Sequence, residues 1–102
     1  PSNYTLLIVD NGSYGSTGDQ KTFTNERTSL KDVAIGAGCK NVIECSGEET
    51  SENLQKALDD NNNSYVIISK IKSGNVPIKP IPLNAVTIRD RFRKEIGLVT
   101  YL

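Results

Sequence analysis

The sequence predicts a three-layer α/β domain built on a parallel sheet, and three observations predict it. Apolar, β-branched runs of strand length occur at residues 4–10, 41–45 and 64–71. Stretches with helical periodicity lie between them, at 29–38 and from 50 or 51 to 60. Turn-forming residues separate neighbouring segments, as in the run Asn61-Asn62-Asn63. Strands that alternate with helices build right-handed βαβ units, which set the strands parallel.

Residues 4–10 are a nearly continuous apolar run ending in a polar turn, the pattern of a parallel strand buried on both faces. A glycine-rich loop follows. In the first helix Ser29 can cap, Asp32 sits at the third helical position, Val33 and Ala37 share a face, and Gly38 can end it. The second strand is short. In the second helix Leu54, Ala57 and Leu58 form one stripe. After the third strand, Pro77, Pro80 and Pro82 interrupt ladder hydrogen bonding and favour an extended arm over 74–84. A terminal helix is expected over 87–96, capped by Thr87 with Asp90 three residues on, and carrying Ile88, Phe92 and Ile96 along one side.

A chain of 102 residues is long enough for one domain and too short for two ordinary ones. Its 12 basic and 12 acidic residues cancel, so no net field draws it to nucleic acid or to an anionic membrane. The apolar runs are far below membrane-spanning length and nothing at the start reads as a signal peptide, so a soluble, cytoplasmic protein is expected. Cys39 and Cys45 match neither a zinc spacing nor a disulfide framework, and both are expected as free, buried thiols. With no histidine in the chain, Ser-His-Asp and Cys-His catalysis within it are excluded. No methionine occurs, and Pro1 opens the chain just before a core strand, which suggests initiator removal or a segment of a longer sequence.

The stretch from Asp10 to Gln20 follows the carboxyl end of the first strand, the edge where open parallel sheets bind ligands. Gly12, Gly15 and Gly18 let the backbone approach a ligand, while Asn, Ser and Thr supply uncharged oxygens suited to Mg²⁺ and phosphate. No Gly-Lys-Ser/Thr is present, and the glycine spacing is not a dinucleotide fingerprint. Residue types alone leave two readings open, a long turn and a loop around a metal-bridged diphosphate.

The string Val9-Asp10-Asn11-Gly12-Ser13-Tyr14-Gly15-Ser16-Thr17-Gly18-Asp19-Gln20-Lys21-Thr22 resembles the closing part of the thiamine-diphosphate motif. It is most similar to the sulfopyruvate and phosphonopyruvate decarboxylase family, with β-type sulfopyruvate decarboxylase subunits the nearer match. Weaker similarity extends through Asp32-Val33-Ala34, residues 41–45 and the segment from Pro82-Leu83 to Phe92. The resemblance implies that the chain is the C-terminal portion of a diphosphate-binding domain. Thiamine diphosphate and Mg²⁺ are the implied cofactors, with metal ligands from the Asn11 side chain and the Ser13 carbonyl. Gly12, Tyr14, Gly15, Ser16, Thr17 and Gln20 would line the cofactor.

Two positions depart from the family pattern, Asp10 in place of Asn and Lys21 in place of Pro. The motif's opening Gly-Asp-Gly, which carries a Mg²⁺-binding aspartate, is absent from the chain. The implied partners are an α-type subunit carrying the pyrimidine-binding domain and a small anionic 2-oxo acid, in a hetero- or homo-oligomer. The implied reaction is decarboxylation of sulfopyruvate, on a route to coenzyme M. Phosphonopyruvate decarboxylation, or a non-catalytic assembly module that keeps the fold, are the alternatives. No catalytic residue is assigned to this chain. Asp19 stays open, Glu44 is expected to be solvated or paired, and Arg89, Arg91, Arg93 and Lys94 are expected on the wet face of their helix. Tyr14 could stack on the cofactor or anchor the loop.

Overall fold

The computed structural model describes residues 1–81 and 84–98. Its elements in order are β1 (Thr5–Asp10), β2 (Ser13–Tyr14), β3 (Gln20–Lys21), α1 (Leu30–Gly36), β4 (Val42–Ser46), α2 (Thr50–Asp59), β5 (Tyr65–Lys70) and α3 (Ala85–Glu95). Short 3₁₀ turns at Phe23–Asn25 and Gly47–Glu49 precede α1 and α2. The expected α/β fold with a parallel sheet is what the chain forms. Strands β1, β5 and β4 lie in that order, and both pairings are parallel.

The register runs from Thr5 opposite Tyr65 to Asp10 opposite Lys70, and from Val42 opposite Val66 to Ser46 opposite Lys70. All three strands therefore end level, at Asp10, Lys70 and Ser46. The chain moves outward from β1 to β4 through α1 and back to β5 through α2. Right-handed crossovers in opposite directions put the two helices on opposite faces. One face is packed by Cys45, Ala57 and Ile67, with Ile43, Leu54 and Tyr65 against them. Alternation turns Ile68 to the other face, where it is also fully buried.

The expectation of a first strand buried on both faces is corrected. Leu6, Leu7 and Val9 are 40%, 36% and 57% exposed, because β1 is an edge strand among the described residues. The doubly buried strand is β5, where Ile67, Ile68 and Ser69 have almost no exposure. Cys45 is buried as expected, but Cys39 is exposed, since it lies past the end of α1 before β4 begins.

Local capping explains the helix boundaries. Ser29 accepts a hydrogen bond from the Asp32 amide at 3.1 Å, as the sequence predicts. At the start of α2, Glu49 Oε1 accepts from both the Ser46 amide and the Ser46 hydroxyl, so the first turn begins at Ser46. Thr87 does not cap α3. Asn84 does, accepting from the amides of Val86 at 3.0 Å and Thr87 at 3.1 Å, which places Thr87 inside the helix.

Residues 71–81 are exposed, as is every apolar side chain of α3, with Phe92 at 64%. Pro82 and Leu83, part of the expected arm, lie outside the described residues. The Cα radius of gyration is 18.0 Å, against about 13 Å for a compact chain of about 100 residues. The arm and α3 stand away from the sheet. Among the described residues no helix is long and apolar enough to cross a membrane.

Candidate functional site

The glycine-rich stretch folds as a small hairpin rising from the carboxyl ends of β1 and β5. Its two arms are β2 and β3, with Ser13 opposite Lys21 and Tyr14 opposite Gln20. Each turn of the path has a local cause. Gly12 has φ +66°, a conformation glycine enters without penalty, and an added Cβ there would sit 3.0 Å from the Asn25 side chain. Asn11 Oδ1 accepts from the Ser13 amide at 3.2 Å, which turns the chain into β2. At the tip the amides of Thr17 and Asp19 both donate to the Tyr14 carbonyl, and Asp19 takes φ +60°. Thr17 and Gln20 then bond to each other twice, hydroxyl to side-chain carbonyl at 3.1 Å and side-chain amide to backbone carbonyl at 3.0 Å.

The neck of the hairpin is tied by Asp10. Its Oδ1 accepts from the Gly12 amide and from the Thr24 hydroxyl, each at 2.9 Å, and its Oδ2 takes the Lys70 ammonium at 2.7 Å. Burial pushes the Asp10 carboxyl up. The donors from Lys70, Gly12 and Thr24, with the charge of Lys70, outweigh that push and hold it below the usual carboxylate value.

Between this neck and the start of the arm lies a cleft of about 460 Å³, within the range of small-ligand sites. Asp10, Asn11 and Gly12 line one side, and Lys70, Lys72 and Ser73 the other. Of the residues expected to hold a cofactor, the cleft brings together Asn11 and Gly12. Ser13 stands at the base of the hairpin, and Tyr14, Gly15, Ser16, Thr17 and Gln20 belong to the hairpin beyond it. Tyr14 is 59% exposed and free to meet another surface. The Gly15 carbonyl accepts from the Asn75 side chain at 2.8 Å, which ties the arm to the tip.

Lys70, Lys72 and Ser73 were not legible as site residues. The one signal was positional, a lysine ending the third strand at the level where the first strand ends. Glu44 is exposed on β4, as expected. Arg89 pairs with Asp90 at 2.9 Å and Arg91 and Lys94 are exposed on α3, whereas Arg93, expected on the wet face with them, is half-buried and its Nε is buried without a hydrogen-bond partner.

The donor set fits a magnesium-bridged diphosphate. Asn11 offers a hard, neutral oxygen, and the Ser13 hydroxyl is buried without a hydrogen-bond partner, a cost that an oxyanion acceptor would relieve. Asp10 is committed to the neck. Among the described residues no group of three or more His, Cys, Asp or Glu side chains could hold a metal.

Fold and site together define the class: a parallel α/β unit that presents a polar hairpin and a cleft at the carboxyl ends of its strands. Comparison with known proteins adds the relatives. The chain is 38% identical over 87 residues to the sulfopyruvate decarboxylase subunit beta of Methanocaldococcus jannaschii, covering 81% of this chain and 46% of that one. It is 32% identical over 96 residues to the protein of the same name from Methanococcus maripaludis, covering 94% of this chain and 51% of that one. A sulfopyruvate decarboxylase of Methanosarcina acetivorans is 28% identical over 99 residues, 96% of this chain and 25% of the relative. The resemblance drawn from the loop is thus borne out over most of the chain. The chain spans about half the length of the β subunits it matches. No family model and no solved structure matches it.

Proposed function

We propose that the chain is the part of a thiamine-diphosphate-dependent 2-oxo acid decarboxylase that contacts Mg²⁺ and the cofactor's diphosphate. The reaction is the conversion of sulfopyruvate to sulfoacetaldehyde and CO₂, in coenzyme M biosynthesis. The observation that carries this reading is the Asn11–Ser13 turn, which holds a neutral oxygen ligand beside an unpartnered buried hydroxyl at the strand ends. The names of the relatives support the substrate.

In this reading Asn11 Oδ1 and the Ser13 carbonyl are the metal ligands, and the Asx turn holds the Asn11 side chain in place. Gly12 lets the backbone come close without a side chain between. The hairpin residues Tyr14, Gly15, Ser16, Thr17 and Gln20 would line the bound cofactor and order against it. Bound thiamine diphosphate supplies the electron sink for loss of CO₂. The chain holds and orients, and the cofactor-activating carboxylate belongs to an α-type partner bearing the pyrimidine-binding domain. The assembly is a cytoplasmic hetero-oligomer.

The test is CO₂ release from sulfopyruvate and from phosphonopyruvate. It uses the chain alone, the complete protein, and the complete protein with its α-type partner. Turnover of sulfopyruvate only in the last sample is expected. Preference for phosphonopyruvate would change the substrate, turnover by the chain alone would overturn the division of roles, and no turnover of either would favour a non-catalytic assembly module.

A further inference from the structure

Asp10 and Lys70 are register partners at the ends of adjacent parallel strands, sixty residues apart in sequence. Three donors from three places in the chain converge on the one carboxylate of Asp10: the Gly12 amide at the hairpin's entry, the Thr24 hydroxyl at its exit, and the Lys70 ammonium from the central strand. Lys70 Nζ also reaches the Thr24 carbonyl at 3.4 Å, so it touches the exit directly. The Thr22 amide donates to the Gly12 carbonyl at 3.0 Å, and the hydroxyls of Thr22 and Thr24 meet at 2.6 Å. Entry and exit are thereby joined on both sides of the neck.

We propose that Lys70 is the positioning residue of this loop: through Asp10 it latches the neck of the hairpin and so presets Asn11 and Ser13 for what they bind. What they bind rests on the reading of the loop given above; the latch itself does not. The two side chains differ in setting, with 41% of the Lys70 side chain exposed and 7% of Asp10. Lys70 reaches in from solvent and loses little hydration, whereas Asp10 is enclosed and needs its cation. Without Lys70 the enclosed carboxylate keeps only two neutral donors. Turning it outward to water releases the Gly12 amide and the Thr24 hydroxyl together, and the neck opens next to Asn11.

Lys70 also lines the cleft, so cofactor affinity alone does not separate a direct contact from the latch; exchange at Gly12 and Thr22 without cofactor reads the latch by itself. Partners that orient metal ligands from behind typically change metal affinity by about 10- to 100-fold.

The experiment compares Lys70→Met, Lys70→Arg and Thr24→Val in the complete protein. It reads amide hydrogen exchange at Gly12, Thr22 and Ile67, together with the affinity for Mg²⁺ and thiamine diphosphate. Lys70→Met is expected to speed exchange at Gly12 and Thr22 several-fold, leave Ile67 unchanged and weaken cofactor binding roughly tenfold. Lys70→Arg is expected to restore most of both, and Thr24→Val to reproduce the local exchange pattern with Lys70 in place. Unchanged exchange at Gly12 and Thr22 in Lys70→Met overturns the latch, as does acceleration that includes Ile67. If the unaltered protein binds no thiamine diphosphate while the exchange pattern holds, the cofactor reading fails and the latch stands.

Discussion

The side-chain amide of Asn75 donates to the carbonyl of Gly15 at 2.8 Å, joining the first residues of the extended arm to the tip of the hairpin. A Cβ at Gly15 would lie 3.1 Å from the Asn75 side-chain oxygen, so the two segments are in close contact as well as bonded. Asn75 is exposed and Gly15 half-buried, and one hydrogen bond in such a setting contributes on the order of 1 kcal/mol or less. Asn75→Ala is therefore expected to leave the melting temperature nearly unchanged while raising protease cleavage between residues 73 and 81. Unchanged cleavage of the arm would show that the contact does not hold it.

Two glycines separate backbone need from mere presence. Gly12 takes φ +66° and faces the Asn25 side chain at close range, so Gly12→Ala is expected to cost about 1–2 kcal/mol. Gly36 ends α1 with nothing within 4 Å of an added Cβ, so Gly36→Ala is expected to stabilise by about 0.5–1 kcal/mol. Urea denaturation of both variants checks the opposite signs.

The chain's stability should depend on pH through Asp60 and Tyr65, whose side chains bond at 2.7 Å. The Tyr65 hydroxyl, then the Asn63 side chain, hold the Asp60 carboxyl below its ordinary value, with the Asn62 amide adding and burial opposing. The Asp60 bond, with burial and the Asp60 charge behind it, pushes the Tyr65 phenol up. A lowered carboxyl stabilises the fold above its unfolded value, and that stability is lost as pH falls through the folded one. A raised phenol stabilises below its unfolded value, and that stability is lost as pH rises through the folded one. Tyr65→Phe is expected to flatten the alkaline limb and to reduce the acid limb, as measured by denaturation midpoints across pH. Persistence of both limbs in Tyr65→Phe would assign them to other groups.

What was legible in the sequence was local. The β-branched runs around Ile8, Ile43 and Ile67 gave the strands, and Ser29 with Asp32 three residues on gave the start of α1, because those signals act within one turn. Position within the sheet was not legible. Val9 and Ile67 sit in similar apolar runs, yet Val9 is 57% exposed and Ile67 fully buried, since only pairing order makes one strand an edge and the other central. Asn84 and Thr87 are both good caps three residues apart, and the choice fell to the stronger, Asn84. At the site, Asn11 and Gly12 could be found from the loop string, but Lys70 could not. Its partner is sixty residues away, and nothing short of the register places the two together.

The central claim, that the hairpin at the end of β1 holds a magnesium-bridged diphosphate, is tested most directly by calorimetric titration of thiamine diphosphate with Mg²⁺. The titration compares the complete protein with its Asn11→Ala variant. Asn11 is a partly exposed loop residue whose side chain accepts one local bond, so its loss should lower stability by about 1 kcal/mol or less. If it is a metal ligand, Asn11→Ala should weaken Mg²⁺-dependent binding at least tenfold, with the melting temperature of the cofactor-free protein almost unchanged. Equal affinity in both proteins, or a loss of affinity that merely tracks a loss of stability, would contradict the account.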